Sequence, residues 1–374
     1  MAKYTLYATM GAGFESVVNQ ELKALGYETR SENGRVFFTG TEADIVKTNL
    51  WLRSADRIKI LLKEFPARDF SELYDQIKAI DWPMILPVDA NFPVKGKAVK
   101  SKLHSEPDVQ AITKKAIVDC MMQAYHRQNC LPETGPKYPL DIRIYKDVAR
   151  ISLDTTGSSL FKRGYRVEHG GAPLKENFAA GLIQLTPFNG THPFIDPMTG
   201  SGTIAIEAAL LAKNVAPGIN RDFAYESFDW IDPKLKLTAI EEARSQEKTE
   251  IAPIFASDID QSILSVAKLN AHNAGVLNDI TFKQIAVKDF KTDLKNGIIL
   301  SNPPYGKRLK DRDGAKQVYE EMGSTLGQMT DFSQYYLTAA NYFEAAFGLK
   351  ANKKRKLFNG NLRVDFYQYW AGKY

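Results

Sequence analysis

Phe194-Ile195-Asp196-Pro197-Met198-Thr199-Gly200-Ser201-Gly202-Thr203 runs a short apolar strand into a glycine-bearing turn, and a strongly apolar helix is predicted from Thr203 to Lys213. In a parallel sheet such a junction is where ligands bind, outside the carboxyl ends of the strands. Gly200 and Gly202 let the backbone pass close to a ligand, and the first turn of the helix offers free N–H groups. The loop is neither a GxGxxG dinucleotide fingerprint nor a P-loop, because no GK[ST] follows. It opens on an acid, Asp196, which suits a cationic group better than a pyrophosphate.

The same punctuation recurs downstream. A strand predicted over Pro253–Ser257 ends at Asp258, a carboxylate placed to accept both hydroxyls of a ribose. The distance from Gly202 to Asp258 far exceeds a minimal dinucleotide unit, so the segment from Pro217 to Arg244 reads as an insertion. Asp260 reads as the N-cap of a helix over Gln261–Ala274. A third strand, Ile280–Ile285, precedes Asp289, which is placed to accept from an adenine amino group. The fourth apolar run, Gly297-Ile298-Ile299-Leu300-Ser301, stops at Asn302-Pro303-Pro304-Tyr305-Gly306. Prolines fix φ and lack N–H groups, so this lip offers carbonyls and no amides. Asn302 adds a side-chain carbonyl and Tyr305 a flat ring. Together they suit holding a planar, amine-bearing group while its nitrogen reacts. Any one of these acids alone is an ordinary cap or turn residue; the ordered set of four strand ends carries the reading.

Alternation of strand and helix through this half predicts an α/β sheet. A helix over Ala315–Met329, a strand over Gln334–Thr338 and a hairpin with an Asn359-Gly360 turn complete it, giving a parallel sheet closed by an antiparallel C-terminal hairpin.

The N-terminal half reads as α+β. A strand at Tyr4–Thr9 leads through Gly11-Ala12-Gly13 into a helix ended by Gly26. Ser16 stands where the third fingerprint glycine would be, so these are turn glycines. Gly34–Gly40 and Arg57–Leu62 are strands, Thr41–Arg53 and Ser71–Ile80 helices, and Asp141–Tyr145 with Val148–Leu153 a hairpin. Lys97, Lys100 and Lys102 fall on or after an extended basic stretch, and Lys114 and Lys115 on the helix that follows. Each alone is an ordinary surface lysine; together they fit a surface tracking a phosphate backbone.

Bulk composition is compatible with this. Charged residues are 25% and hydrophobic ones 44%, ordinary for a globular protein, and the net charge of +5 is mildly basic. No apolar run approaches a membrane span, and no signal-peptide core is present, so a cytoplasmic protein is expected. Five scattered histidines and two cysteines without CxxC spacing argue against a metal.

Asp196–Thr203, Asp258 and Asn302–Gly306 resemble the motifs of class I S-adenosylmethionine-dependent methyltransferases, and the NPPY element resembles the subset that methylates exocyclic or amide nitrogens. Asp154-Thr155-Thr156-Gly157, Lys162–Arg166, Ala172–Glu176, Ala216–Arg221 and Leu357–Gly360 resemble a narrower bacterial family. These are the THUMP-domain RNA methyltransferases related to the guanine-N2 half of the large-subunit rRNA enzyme. That family has Phe-Cys where this chain has Met198-Thr199, with the glycine spacing intact. The resemblance implies a ferredoxin-like segment over 1–65, a THUMP RNA-binding domain over 66–157 and a Rossmann-like methyltransferase domain over 165–374. It implies S-adenosylmethionine as cofactor, held by Asp196, Thr199, Gly200, Ser201, Gly202, Thr203, Asp258, Asp289 and Asn302. It implies catalysis through Asn302, Pro303 and Tyr305, and RNA, foremost large-subunit rRNA methylated at guanine N2, as partner. Adenine N6 of RNA or DNA, tRNA guanine N2, a protein glutamine, and RNA binding without catalysis are the other readings.

Overall fold

In the computed structural model, residues 2–166, 174–306 and 309–372 are described, without the side chains of 309–311. Ala172 and Pro173 of the lead-in segment therefore lie outside the described residues. The first 154 residues build one seven-stranded sheet. Its strands are β1 (Tyr4–Thr9), β2 (Arg30–Glu32), β3 (Arg35–Gly40), β4 (Arg57–Pro66), β5 (Val94–Val99), β6 (Leu140–Tyr145) and β7 (Val148–Asp154), in the order β2-β3-β1-β4-β7-β6-β5. β4 pairs with β7, so the segments expected at 1–65 and 66–157 share a single hydrogen-bonded sheet.

Helices α1 (Glu15–Ala24), α2 (Glu42–Trp51), α3 (Phe70–Lys78) and α4 (Glu106–Ala124) accompany it. Strand side chains alternate between faces, so Leu6, Ala8, Ile58, Ile142 and Ile151 enter the core beneath the helices. Gly96 shows how close α4 lies: a Cβ there would meet Gln110 Cγ at 2.7 Å. The opposite face of the sheet carries the polar alternates.

The second sheet comprises β8 (Phe194–Asp196), β9 (Ile254–Asp258), β10 (Ile280–Gln284), β11 (Ile298–Ser301), β12 (Ser333–Thr338), β13 (Lys353–Asn359) and β14 (Leu362–Tyr369). Their order is β10-β9-β8-β11-β12-β14-β13, with the first five parallel, β14 antiparallel to β12 and β13 antiparallel to β14. The chain moves outward from β8 to β10 and then returns to β11 beside β8, so the order reverses there. α5 (Glu176–Gln184), α6 (Thr203–Ala212), α7 (Lys234–Ser245), α8 (Gln261–Asn273), α9 (Leu309–Thr325) and the short α10 (Phe343–Phe347) complete the half. α9 begins before the expected Ala315 and gives way to a 3-10 turn at Leu326–Gln328. α7 lies in the expected insertion.

The two halves are welded. Glu21 of α1 accepts from Arg53 N, Ser54 N and Gln184 Nε2, and Asn177 Nδ2 donates to Asp56 at 2.8 Å. The C-terminal hairpin returns to the first half, where Arg355 Nη2 donates to Gly13 O at 2.6 Å. Gly13 has φ +98°, and a Cβ would strike Leu357 Cδ2 at 2.7 Å, so both conformation and contact require glycine.

Candidate active site

Four strand ends meet along one edge, in the spatial order Asp289, Asp258, Asp196, Asn302. β8 and β11 flank the point where the strand order reverses, which opens a crevice at their carboxyl ends. Asp196 closes β8 and is fully buried. Ser301 Oγ, from the end of β11, donates to Asp196 Oδ1 at 2.9 Å, while Asp196 Oδ2 and Thr199 Oγ1 are buried without a hydrogen bond of normal geometry among the described residues. Burial pushes the Asp196 carboxyl up to about 7, against the opposing influence of the Thr199 and Ser301 hydroxyls and with a smaller push from the Asp258 charge. A buried acid with an unsatisfied oxygen beside an open glycine loop is a receptor for a cation or a strong donor.

The loop is held from behind. Thr199 N donates to Ser257 O at 2.8 Å, Gly202 N to Thr199 O at 2.9 Å, and Asn270 Nδ2 of α8 to Ser201 O at 2.9 Å. The two glycines differ in kind. Gly202 has φ +86° and packs so closely on α8 that a Cβ would lie 3.0 Å from Ala267 Cβ. Gly200 has φ +52°, and a Cβ there would meet nothing within 4 Å, so this glycine faces free space where a ligand can approach. Its N–H donates to Asp258 Oδ2 at 2.9 Å, and Asp260 N donates to Asp258 Oδ1 at 3.1 Å, orienting that carboxylate from both sides. Asp260 caps α8 through Ser262 N. Thr203 Oγ1 accepts from Arg166 Nη2 at 3.0 Å, and Arg166 Nε binds the buried Glu176 at 2.9 Å. Asp289 is exposed in a 3-10 turn over Val287–Asp289, one strand further out.

At the lip, Asn302 is half-buried and Pro303 buried. The Tyr305 hydroxyl turns back to donate to Asn302 Oδ1 at 2.6 Å, and burial raises that phenol well above its ordinary range. The Pro303 carbonyl takes no hydrogen bond among the described residues. The Pro304 carbonyl instead receives the Tyr319 hydroxyl at 2.5 Å, and that hydroxyl also meets Thr338 Oγ1 at 2.9 Å. α9 and β12 thereby brace the lip. Ser301 and Tyr319, which the sequence reading passed over, are both part of this support. Ser301 was open to detection as the last residue of a fully apolar run; Tyr319 lies 14 residues beyond Tyr305 with no local signal.

The expected RNA-contacting lysines do not converge. Lys97 stands on the open face of the first sheet, and Lys100 and Lys102 follow in the loop beyond β5. Lys114 and Lys115 ride on α4, which packs on the opposite face. Lys114 Nζ is engaged by Glu133 at 2.6 Å and lies 3.5 Å from the Phe92 ring centroid, and Lys115 pairs with Asp119. No three His, Cys, Asp or Glu side chains among the described residues are grouped to hold a metal. No helix among them is long and apolar enough to cross a membrane.

Residues 163–368 match the RMKL-like methyltransferase domain family, 67–154 the THUMP domain and 5–59 the RlmL ferredoxin-like domain. The chain is 49% identical, over 99% of its length and 97% of the relative's, to YpsC of Bacillus subtilis, provisionally named an RNA methyltransferase. It is 33% identical, over 95% of its length, to the ribosomal RNA large subunit methyltransferase K/L of Vibrio parahaemolyticus, and spans 52% of that longer protein. Among solved structures, SMU.472, provisionally named a methyltransferase and complexed with SAH, superposes with a TM-score of 0.95 at 48% identity over 100% of both chains. A protein of Listeria monocytogenes, described as a predicted N6-adenine-specific DNA methylase, superposes with a TM-score of 0.95 at 45% identity, covering 99% of this chain and 97% of its own.

Proposed function

The chain belongs to the RMKL-like methyltransferase family with THUMP and RlmL-type ferredoxin-like regions, and from that premise we propose that it methylates the exocyclic N2 of a guanine in large-subunit rRNA, in the cytoplasm. S-adenosylmethionine is the methyl donor, and its sulfonium supplies an activated methyl group. The loop from Asp196 to Thr203 fits that cofactor: it combines a buried acid carrying an unsatisfied oxygen, a glycine facing free space and a carboxylate pre-oriented at Asp258.

The observation that carries the reading is the placement of Asn302-Pro303 beside this loop, at the reversal of strand order. An exocyclic amine is a weak nucleophile because its lone pair is delocalised into the ring. Acceptors for both amine hydrogens favour the pyramidal nitrogen of the transition state. Asn302 Oδ1 and the Pro303 carbonyl are the two acceptors, and the Tyr305 ring is the stacking surface for a base taken out of its helix. Neither a histidine nor a cysteine is needed in these motifs, because catalysis here is chiefly positioning.

Adenine N6 is the second reading, supported by the description of the Listeria structure and by an NPPY lip that accepts either amine. The deciding experiment supplies tritiated S-adenosylmethionine and ribosomal RNA from a strain lacking the gene, then digests the RNA and identifies the labelled nucleoside. Label in N2-methylguanosine is expected. Label in N6-methyladenosine, in that RNA or in genomic DNA of the same strain assayed in parallel, selects the second reading. No label in the rRNA overturns the first, and no label in either polymer overturns both.

A further inference from the structure

Strand register places an unusual row on the open face of the first sheet. Lys97 of β5 stands directly opposite Arg143 of β6, and Arg143 directly opposite Arg150 of β7. Like charges in directly opposed cross-strand positions destabilise a sheet. The acids on this face do not remove the excess. Glu32 and Glu64 bind Arg150, Asp154 binds Arg57, and Asp141 is shared by Lys59 at 3.2 Å and Arg143 at 3.0 Å. Arg35, Lys95 and Lys97 are left with no ion-pair partner among the described residues. Burial lowers the pKa of Arg35, and the Arg150 and Arg143 charges act in the same direction, while Tyr7 and Glu32, the residue opposite it in register, oppose the shift.

A pair of clefts links the tip of the C-terminal hairpin to this face. A cleft of about 830 Å³ lies over it, walled by Gly157–Ser159 and Phe161 and reaching Asp56 and Lys175. Those two residues also line a second cleft of about 430 Å³, bounded by Phe14, Asn177 and the hairpin tip Phe358–Gly360. β14 meets the carboxyl end of β12 at Asp365 opposite Thr338, so the tip projects past the edge that carries Asn302. Phe358 is 45% exposed there, and Tyr145 is 52% exposed at the far end of the basic face. Cations along an open groove, with an exposed ring beyond either end, match the chemistry of a single-stranded nucleic acid, with phosphates on the cations and bases on the rings.

We propose that a single-stranded RNA segment lies across this face, its phosphates on Lys95, Lys97, Arg143 and Arg35, and passes through the two clefts toward the Asn302 edge. The assignment rests on the RNA reading above and names the surface that reading requires. Lys114 and Lys115, on the other side of the sheet, take no part.

The test measures binding of a short fluorescein-labelled oligouridylate to the full chain by anisotropy, between about 50 and 200 mM salt. The Lys95→Glu/Lys97→Glu variant and the separate Arg35→Gln variant are compared with wild type and with Lys23→Glu, an exposed change on α1. Calorimetric binding of S-adenosylhomocysteine certifies that each variant is folded. The double variant is expected to lose affinity by about tenfold or more, and the salt slope to fall by about 0.7 for each phosphate contact removed. Lys23→Glu should bind as wild type. Face variants that bind and methylate RNA as wild type does would overturn the track and leave the functional reading intact. Loss of oligouridylate binding in those variants, with a wild type that methylates no RNA, would keep the track and remove the functional reading. Polyglutamate displacing the oligouridylate as well as unlabelled RNA does would overturn the assignment in favour of an acidic protein.

Discussion

The Tyr305 hydroxyl donates to Asn302 Oδ1 at 2.6 Å. The side-chain carbonyl that would meet a substrate amine is therefore engaged within its own loop, and a base entering the crevice either displaces the hydroxyl or uses the oxygen's second lone pair. One neutral hydrogen bond is worth about 1 kcal/mol net, roughly fivefold. Tyr305→Phe removes the competing donor and keeps the ring, so kcat/KM for RNA should stay within about fivefold of wild type. Tyr305→Ala removes the ring and should lower kcat/KM by about a hundredfold, by loss of a stacking contact worth ~1–3 kcal/mol together with loss of positioning. Tritium transfer into RNA measures both. A phenylalanine variant as impaired as the alanine one would assign the function of Tyr305 to its hydroxyl.

Asn302→Ala removes one acceptor without touching Asp196, Gly200 or Asp258. Methyl transfer should fall by about two to three orders of magnitude, the usual cost of removing one transition-state hydrogen-bonding group. Calorimetric affinity for S-adenosylhomocysteine should be little changed. A variant that loses cofactor and transfer together would make Asn302 a cofactor-holding residue rather than a catalytic one.

The cluster of strand ends was legible because its parts are local: Asp196, Asp258 and Asn302 each sit at the end of an apolar run, where strand punctuation falls. Asp196, Asp258 and Asn302 needed only the count of strands, although the bracing by Ser301 depends on β8 and β11 being neighbours. The basic face was not legible in the same way. Lys97 and Lys114 are near in sequence, yet β5 points Lys97 away from the helix that carries Lys114. Conversely Arg143 and Arg150 come from two strands and meet only through register, and Arg35 feels both charges from a strand outside that pairing. The alternation Asp141-Ile142-Arg143-Ile144 did contain the signal, since it marks one polar face of the hairpin. α5 escaped notice for a different reason: nearly every residue from Glu176 to Ile183 is buried, so no amphipathic period marks it.

Asp196 gives a pH prediction. Its carboxyl is raised by burial to about 7 in the folded chain, against an ordinary value of about 3.9. A raised carboxyl binds its proton more tightly folded than unfolded. The stability it contributes is complete below about pH 4 and is lost as pH climbs through about 7. Asp196→Asn removes this dependence. In the cofactor-free protein its stability relative to wild type should therefore grow between about pH 4 and pH 7 and then level off, with a ceiling of about 4 kcal/mol. Denaturant melts at closely spaced pH values measure it. A wild-type-to-variant difference that is flat across that range would show Asp196 to be ionised throughout.

Glu207 of α6 holds the join between the lead-in segment and the helix that carries the glycine loop. Its carboxylate meets Arg163 at 3.4 Å and accepts from the Tyr165 hydroxyl at 3.1 Å, with Glu207 1% and Arg163 4% exposed. Arg163 also donates to Leu160 O at 2.7 Å and to Arg53 O, so one guanidinium ties α6 to both halves of the chain. Glu207→Ala leaves that cation buried without its counter-charge, which costs about 3–5 kcal/mol. Glu207→Gln keeps an acceptor for Tyr165 and should recover part of the loss. Because α6 begins at Thr203, the alanine variant should also bind S-adenosylhomocysteine more weakly under conditions where it remains folded. Urea unfolding and calorimetry together decide the point. A loss below about 1 kcal/mol in the alanine variant would mean that the carbonyls of Leu160 and Arg53 alone suffice to hold the guanidinium.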